Sequence, residues 1–250
     1  MIPIKNKLAF AKMEMAGQLL AQTMHRAAEY VKPGISTLEL DAIITKTLID
    51  KGLRSSTIGY AGYKHASCIS VNAEVVHGIP SAKKVLKSGD VVKIDICASW
   101  KGYCADMART IFVGTVSPVA HRLVQVAQDA LDKGISKAYA GNRLGDISSS
   151  IQREVEKHSF GVVRDFAGHG IGKKLHEEPE LLNYGHPGQG PVLQVGMALA
   201  IEPMITEGHY DVYVAHDGWT VITKDKSLAA HVEDTVLITE NGPKIVTRLP

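Results

Sequence analysis

The stretch Val91-Val92-Lys93-Ile94-Asp95-Ile96-Cys97 sets an aspartate in the middle of a run that otherwise reads as a buried strand. Aspartate is depleted in strands because its short polar side chain competes with the backbone. A buried carboxylate is costly unless it is paired or metal-bound. The anomaly recurs three times. Asp106 stands beside Ile111-Phe112-Val113, Glu233 beside Val236-Leu237-Ile238, and Glu202 follows Met197–Ile201 and precedes Pro203, closing a strand. Any one of these reads as a salt bridge or a strand-end polar residue; four together point to a site. The eleven positions from Asp95 to Asp106 suit a hairpin that brings both carboxylates to one place.

These positions belong to a repeat. Leu86-x-x-Gly89-x-x-x-x-Ile94-Asp95 parallels Leu193-x-x-Gly196-x-x-x-x-Ile201-Glu202, and Val76-His77-Gly78-Ile79 parallels Gly168-His169-Gly170-Ile171. A later acidic strand follows in each copy, with Asp106 and with Glu233. Each copy is preceded by two helical patterns. Leu8, Met15, Leu19, Ala27 and Val31 form the expected apolar stripe of the first, which Lys32-Pro33-Gly34 ends. Ser36 and Glu39 form a capping box for the second, with Leu40, Ile43, Ile44, Thr47 and Leu48 as its stripe and Gly52 as its stop. Ser117-Pro118 opens the third, with Leu123, Val126, Ala130 and Leu131. Leu144, Ile147, Ile151 and Val155 mark the fourth. The period, about 100 residues, is too long for a solenoid unit. The expected architecture is α+β: one domain over residues 1–250, with two pseudo-symmetric halves, about 1–115 and 116–250, sharing a central antiparallel sheet and one site.

The 250 residues are 45% hydrophobic and 22% charged, ordinary for a globular chain with a sizeable core. The net charge of +2 gives no reason to expect nucleic acid or an anionic membrane as partner. No apolar run approaches the roughly 18 residues that span a bilayer. Met1–Lys7 lacks the apolar segment of a secretory signal. Cys68, Cys97 and Cys104 are an odd, irregular set without Cys-x-x-Cys, which argues for a reducing, cytoplasmic compartment and against a zinc finger.

His169 adds a nitrogen to the four carboxylates. A lone histidine is usually a satisfied core residue, but this one lies in Gly168-His169-Gly170-Ile171-Gly172, where glycines let backbone approach closely, and His176 follows seven residues on. Four carboxylates are neutralised by two divalent cations and left strongly anionic by one. Metal pairs that share bridging carboxylates stand ~3.5–4 Å apart and lower the pKa of bound water to about 7. Oxygen-rich ligation without thiolate favours Mn, Fe or Co, with Zn also possible.

With these pieces in order over nearly the whole chain, the sequence resembles the methionine aminopeptidases and their pita-bread fold. The matching segments are His77-Gly78-Ile79-Pro80, Lys93-Ile94-Asp95, Asp106, Gly168–Gly172, His176-Glu177-Glu178-Pro179, Ile201-Glu202-Pro203 and Glu233-Asp234-Thr235. The resemblance implies that Asp95, Asp106, His169, Glu202 and Glu233 ligate two ions, with Asp106 and Glu233 bridging. It implies that Glu202 handles the proton of the attacking water, that His77 contacts substrate near the scissile amide, and that His176 stabilises the tetrahedral intermediate. Tyr60, Tyr63, Cys68, Leu175 and Trp219 match positions lining the methionine pocket; on composition alone the aromatics would be read as core. An apolar pocket of aromatics and a soft sulfur suits a flexible thioether.

The sequence departs from the usual family pattern at Leu175, Cys97, Asp234 and Ala105-Asp106-Met107, and none of these removes a ligand. The first helix begins almost at once, and the 33 positions from His169 to Glu202 leave no room for a helical insertion, which implies the bacterial-type type I subclass. The expected partners are nascent peptide N-termini that begin with Met, met by a monomer, and the basic Lys83, Lys84 and Lys87 are a candidate ribosome contact. Two other readings compete. One is a pita-bread X-Pro aminopeptidase or prolidase, relatives that usually carry a further N-terminal domain. The other is a non-catalytic binding module on the same scaffold, which usually loses ligands.

Overall fold

The computed structural model describes residues 1–249. Four helices form where the caps are strong. In α1 (Lys7–Ala28) the Asn6 side chain accepts from Ala9 N at 2.9 Å. In α2 (Thr37–Asp50) Ser36 and Glu39 close the expected capping box. Ser117 caps α3 (Pro118–Ile135), and Pro118 sits in its first turn. Asp146 reaches back to Arg143 N at the start of α4 (Leu144–Lys157).

The apolar stripes of α2, α3 and α4 face inward as expected. The stripe of α1 does so only in part: Ala27 is buried and Leu19 and Val31 pack half-buried against the core, but its first two members do not. Leu8 is 66% exposed and Met15 40%, while Ala9, Met13, Ala16, Leu20, Met24 and Ala27 are buried. Apolar residues lie on both sides of this helix, so two stripes of equal period compete, and packing against the sheet selects the one with small residues. Gly17 shows why small residues are required: a Cβ there would lie 2.4 Å from the carbonyl oxygen of Val246.

The main sheet has nine strands, and every pairing in it is antiparallel. Its spine runs Arg54–Ser55, Val91–Trp100, Tyr103–Phe112, Glu233–Thr239, Ala198–Ile201, Gly168–Gly170, Glu177–Leu181. Helices α1 and α2 pack on Ile94, Ile96, Ala98, Ala105 and Met107. Helices α3 and α4 pack on Leu199, Ile201, Val236 and Ile238. The two packed layers meet where Tyr103–Phe112 pairs with Glu233–Thr239. That ladder is only Glu233↔Ala108 and Asp234↔Met107. Thr235 reinforces it: its hydroxyl accepts from Asp106 N and donates to Asp106 O, each at 2.8 Å. The helices pack on one face of the sheet and leave the other for a site. Among the described residues no helix is long and apolar enough to cross a membrane.

Candidate metal centre and substrate cavity

Strand registers decide which side chains share the face away from the helices. Directly opposed residues in an antiparallel pair lie on the same face, and so do residues two apart in one strand. Cys97 opposes Asp106, which places Asp95 diagonally beside Asp106 on one face. Ala108 opposes both Asp95 and Glu233, so Glu233 joins them. His169 and Thr235 both oppose Ala200, and Glu202 follows Ala200 by two. All five expected ligands therefore converge on one side of the sheet, contributed by both layers.

Their contacts are those of groups that need a cation. His169 Nδ1 lies 2.9 Å from the Gly170 carbonyl oxygen, which can only accept, so Nδ1 carries the proton and Nε2 presents a lone pair. Nε2 is 3.6 Å from Glu202 Oε1 and 3.8 Å from Asp106 Oδ2. Those separations are too long for hydrogen bonds. Two ligands about 2.1 Å from a tetrahedral cation stand roughly 3.4 Å apart, so the separations suit donors around a shared ion. Asp106 Oδ1 and Glu233 Oε1 are buried without any hydrogen-bond partner. Asp106, His169 and Glu233 each offer a ligand atom within 4.8 Å of the others. Asp95 lies outside that trio and lines the cavity together with Asp106 and Glu202.

Electrostatics agree. Burial, then the charge of neighbouring carboxylates, pushes Asp106 and Glu233 well above the usual carboxylate range. Burial raises Glu202 to about 8 and Asp95 to about 6. Burial also lowers His169 to about 4, so the ring is neutral at neutral pH. Lys93, the fully buried cation on the same strand as Asp95, is committed elsewhere: its ammonium donates to Asn72 O at 2.7 Å, and burial lowers it to about 7.

Above this cluster opens a cavity of about 200 Å³. All the expected pocket residues line it: Tyr60, Tyr63, Cys68, Leu175, Trp219, His77 and His176. Tyr63 packs edge-on to Trp219 at 4.9 Å between centroids. Its hydroxyl donates to Ser67 O, in a loop held by Asp41, whose Oδ1 accepts from Ala66 N, Ser67 N and the Ser67 hydroxyl. His77 sits at φ 59°, a left-handed conformation rare for histidine, and burial lowers its ring to about 4. Gly78 follows because a Cβ there would lie 2.4 Å from Ile69 O. His176 Nδ1 is 2.7 Å from the Tyr60 hydroxyl, and its ring stands 4.3 Å from that of His169.

Three departures from the family pattern point away from the site. Ala105 and Met107 pack under α1 and α2. Asp234, fully buried, binds Arg109 at 2.6 Å, Arg248 at 2.7 Å and the Thr247 hydroxyl at 2.8 Å. Only Leu175 and Cys97 line the cavity. The basic cluster is also divided, since Lys84 pairs with Glu74 at 2.7 Å while Lys83 and Lys87 are exposed.

The sequence reading missed Phe166, Met204, Val76 and Thr57 in the cavity wall; Val76 lay within the repeat motif as the residue before His77, and the other three carry no motif. It also missed His231. This ring is 1% exposed, and its Nε2 lies 3.5 Å from Glu202 Oε2. The available signal was its spacing of two from Glu233, in His231-Val232-Glu233.

Comparison with known proteins identifies the family. A model of metallopeptidase family M24 matches residues 11–240. The methionine aminopeptidase of Clostridium perfringens is 48% identical over 247 residues, 99% of each chain. The crystal structure of Thermotoga maritima methionine aminopeptidase superimposes with a TM-score of 0.98, at 43% identity over 100% of both chains. Prolidase from Pyrococcus furiosus shares the fold more distantly, with a TM-score of 0.79 and 25% identity over 99% of this chain and 66% of the prolidase. The chain belongs to metallopeptidase family M24 and, within it, to the methionine aminopeptidases.

Proposed function

We propose that the chain removes the initiator methionine from new polypeptides, using two divalent cations held by Asp95, Asp106, His169, Glu202 and Glu233. The observation that carries this reading is the pair of buried carboxylate oxygens, Asp106 Oδ1 and Glu233 Oε1, that have no hydrogen-bond partner within the protein. Asp106 and Glu233 lie at the seam between the two helix-packed layers, beside Asp95 from one layer and His169 and Glu202 from the other, and these five would hold the cations. Two cations held there would balance the charge of the four carboxylates and supply the Lewis acidity that lowers the pKa of water to about 7.

The remaining work falls to the protein. Glu202, whose carboxyl group lines the cavity, is suited to take the proton from the attacking water and pass it to the leaving amine. His77 and His176 line the cavity as rings whose pKa values burial lowers, so they act as neutral donors to the substrate amide and to the oxyanion that develops. Tyr60, Tyr63, Cys68, Leu175 and Trp219 form the wall that receives the methionine thioether. The unit that acts is the whole chain, with halves about 1–115 and 116–250, as a cytoplasmic monomer. Exposed Lys83 and Lys87 are the residues available for ribosome contact.

Mn, Fe or Co suits the oxygen-rich ligands, and Zn is the runner-up. The test is a metal-titrated assay with a Met-Ala-Ser peptide beside an Ala-Pro peptide. Cleavage of Met-Ala-Ser dependent on added metal is the expected result. Cleavage confined to the proline peptide would transfer the chain to the prolidase side of the fold.

A further inference from the structure

The five side chains above leave the buried ring of His231 unexplained. His231 lies on the strand Ala229–His231, opposite Met204. Its backbone is fastened to the neighbouring hairpin, since its carbonyl accepts from the Thr110 hydroxyl at 2.7 Å and its N–H donates back to that oxygen at 3.1 Å. The ring is 1% exposed, yet neither Nδ1 nor Nε2 makes a hydrogen bond. A buried polar group without a partner is rare and calls for an unseen one. Nε2 is 3.5 Å from Glu202 Oε2. Glu202, His231 and Glu233 form a second trio whose ligand atoms lie within 4.8 Å of one another, sharing Glu233 with the first. Glu202 thus stands between two imidazoles, Oε1 towards His169 and Oε2 towards His231.

We propose that His231 Nε2 is a sixth ligand of the metal centre, so that the second ion of the pair is held by two imidazoles rather than one. The proposal rests on the dinuclear reading above. It also sets a preference. A second imidazole moves the site further from the hard, oxygen-dominated ligation that suits Mn(II) and towards the mixed ligation that suits Fe(II), Co(II) or Zn(II). Its neutral ring leaves the charge balance of four carboxylates against two divalent ions unchanged.

The test is to load the intact protein with Co(II) and record its hyperfine-shifted proton spectrum in H2O and D2O. Each metal-bound histidine contributes one far-shifted, solvent-exchangeable ring N–H. Two such signals are expected in the unmodified protein, from His169 and His231, and one in His231→Gln. The variant should also bind Co(II) at least ~10-fold more weakly, with a smaller loss for Mn(II). A single exchangeable signal in the unmodified protein, retained in His231→Gln with unchanged Co(II) affinity, would overturn the sixth ligand and leave the five-ligand centre standing. The absence of any such signal would overturn both. Because the count in the unmodified protein decides, the result holds even if the variant folds poorly.

Discussion

Ile94, Ile96 and Met107 are buried under α1 and α2, while their neighbours Asp95, Cys97 and Asp106 line the cavity on the other face. The same alternation runs through the other half of the sheet. Leu199 and Ile201 lie under α3 and α4, and His169 and Glu202 face the site. The difference shows how one strand meets two opposed demands. The helix face contributes apolar burial, at ~25 cal/mol per Å² removed from water. The site face gives stability away, since it buries carboxylates that raise one another's pKa. A pleat with a period of two keeps the two apart within a single residue.

Paired substitutions across that pleat test the separation. Glu202→Gln should lower kcat/KM by ~10²–10⁴-fold, the range for losing an acid–base group, and leave the fold intact. Ile94→Ala, on the opposite face, should cost ~2–5 kcal/mol of stability and leave activity per folded molecule unchanged. Urea melts and active-site-titrated kinetics on both variants check this. The comparison breaks if Ile94→Ala alters turnover of the folded fraction or Glu202→Gln unfolds the chain.

The repeats and the strand carboxylates made the site-face half of this picture readable from sequence. A carboxylate in a strand is an anomaly, and several at matching places in two repeats point to a site, so Asp95, Asp106 and Glu233 announced themselves, and four registers then place them together. The cavity wall was legible only through family resemblance, because Tyr63 and Trp219 carry no signal that separates a wall from a core. His231 was hidden for the opposite reason: one histidine beside a strand is normally a satisfied core residue, and its orphaned nitrogens appear only in three dimensions. The parallel between Val76-His77-Gly78 and Gly168-His169-Gly170 was informative about sequence but not about backbone. His169 lies in a strand, whereas His77 sits in a left-handed bend outside any strand.

The cost carried by the site face should itself be measurable without metal. A carboxyl whose folded pKa is raised stabilises the fold below its unfolded pKa, and that contribution is lost as pH rises through the folded value. For Glu202 the interval runs from the ordinary 4.5 to about 8. Histidines lowered to about 4 are silent above 6.5, whereas Lys93 and Cys104, both lowered to about 7, act with opposite sign near neutrality. Comparing the chain with Glu202→Gln cancels those terms. In chelator, the unmodified protein should lose stability relative to the variant between pH 6.5 and 8, by ~1.4 kcal/mol per pH unit for one carboxyl. Adding Mn(II) should reverse the loss. Parallel stability curves in chelator would mean that Glu202 is ionised in the metal-free fold and that the centre is less dry than its burial implies.

The smallest expected effect lies on α1, where two members of the periodic stripe, Leu8 and Met15, are exposed while Leu19, Ala27 and Val31 pack on the core. Leu8 and Met15 recur at helical spacing and are apolar, yet both face solvent, and α1 meets the sheet through Met13, Ala16, Leu20 and Met24. Helix period fixes which residues share a face, and only the partner surface decides which face is buried. Here close approach to Val246 at Gly17 demands the side lined by small residues. Leu8→Gln and Met15→Gln should therefore shift stability by no more than ~0.5 kcal/mol, the range for surface positions. Met13→Ala, one turn from Gly17 and fully buried, should cost ~2–5 kcal/mol. Thermal melts of the three variants decide. A large loss at Leu8 would mean that this exposed face is covered in solution, and the contrast between a buried and a bare side of α1 would have to be redrawn around whatever covers it.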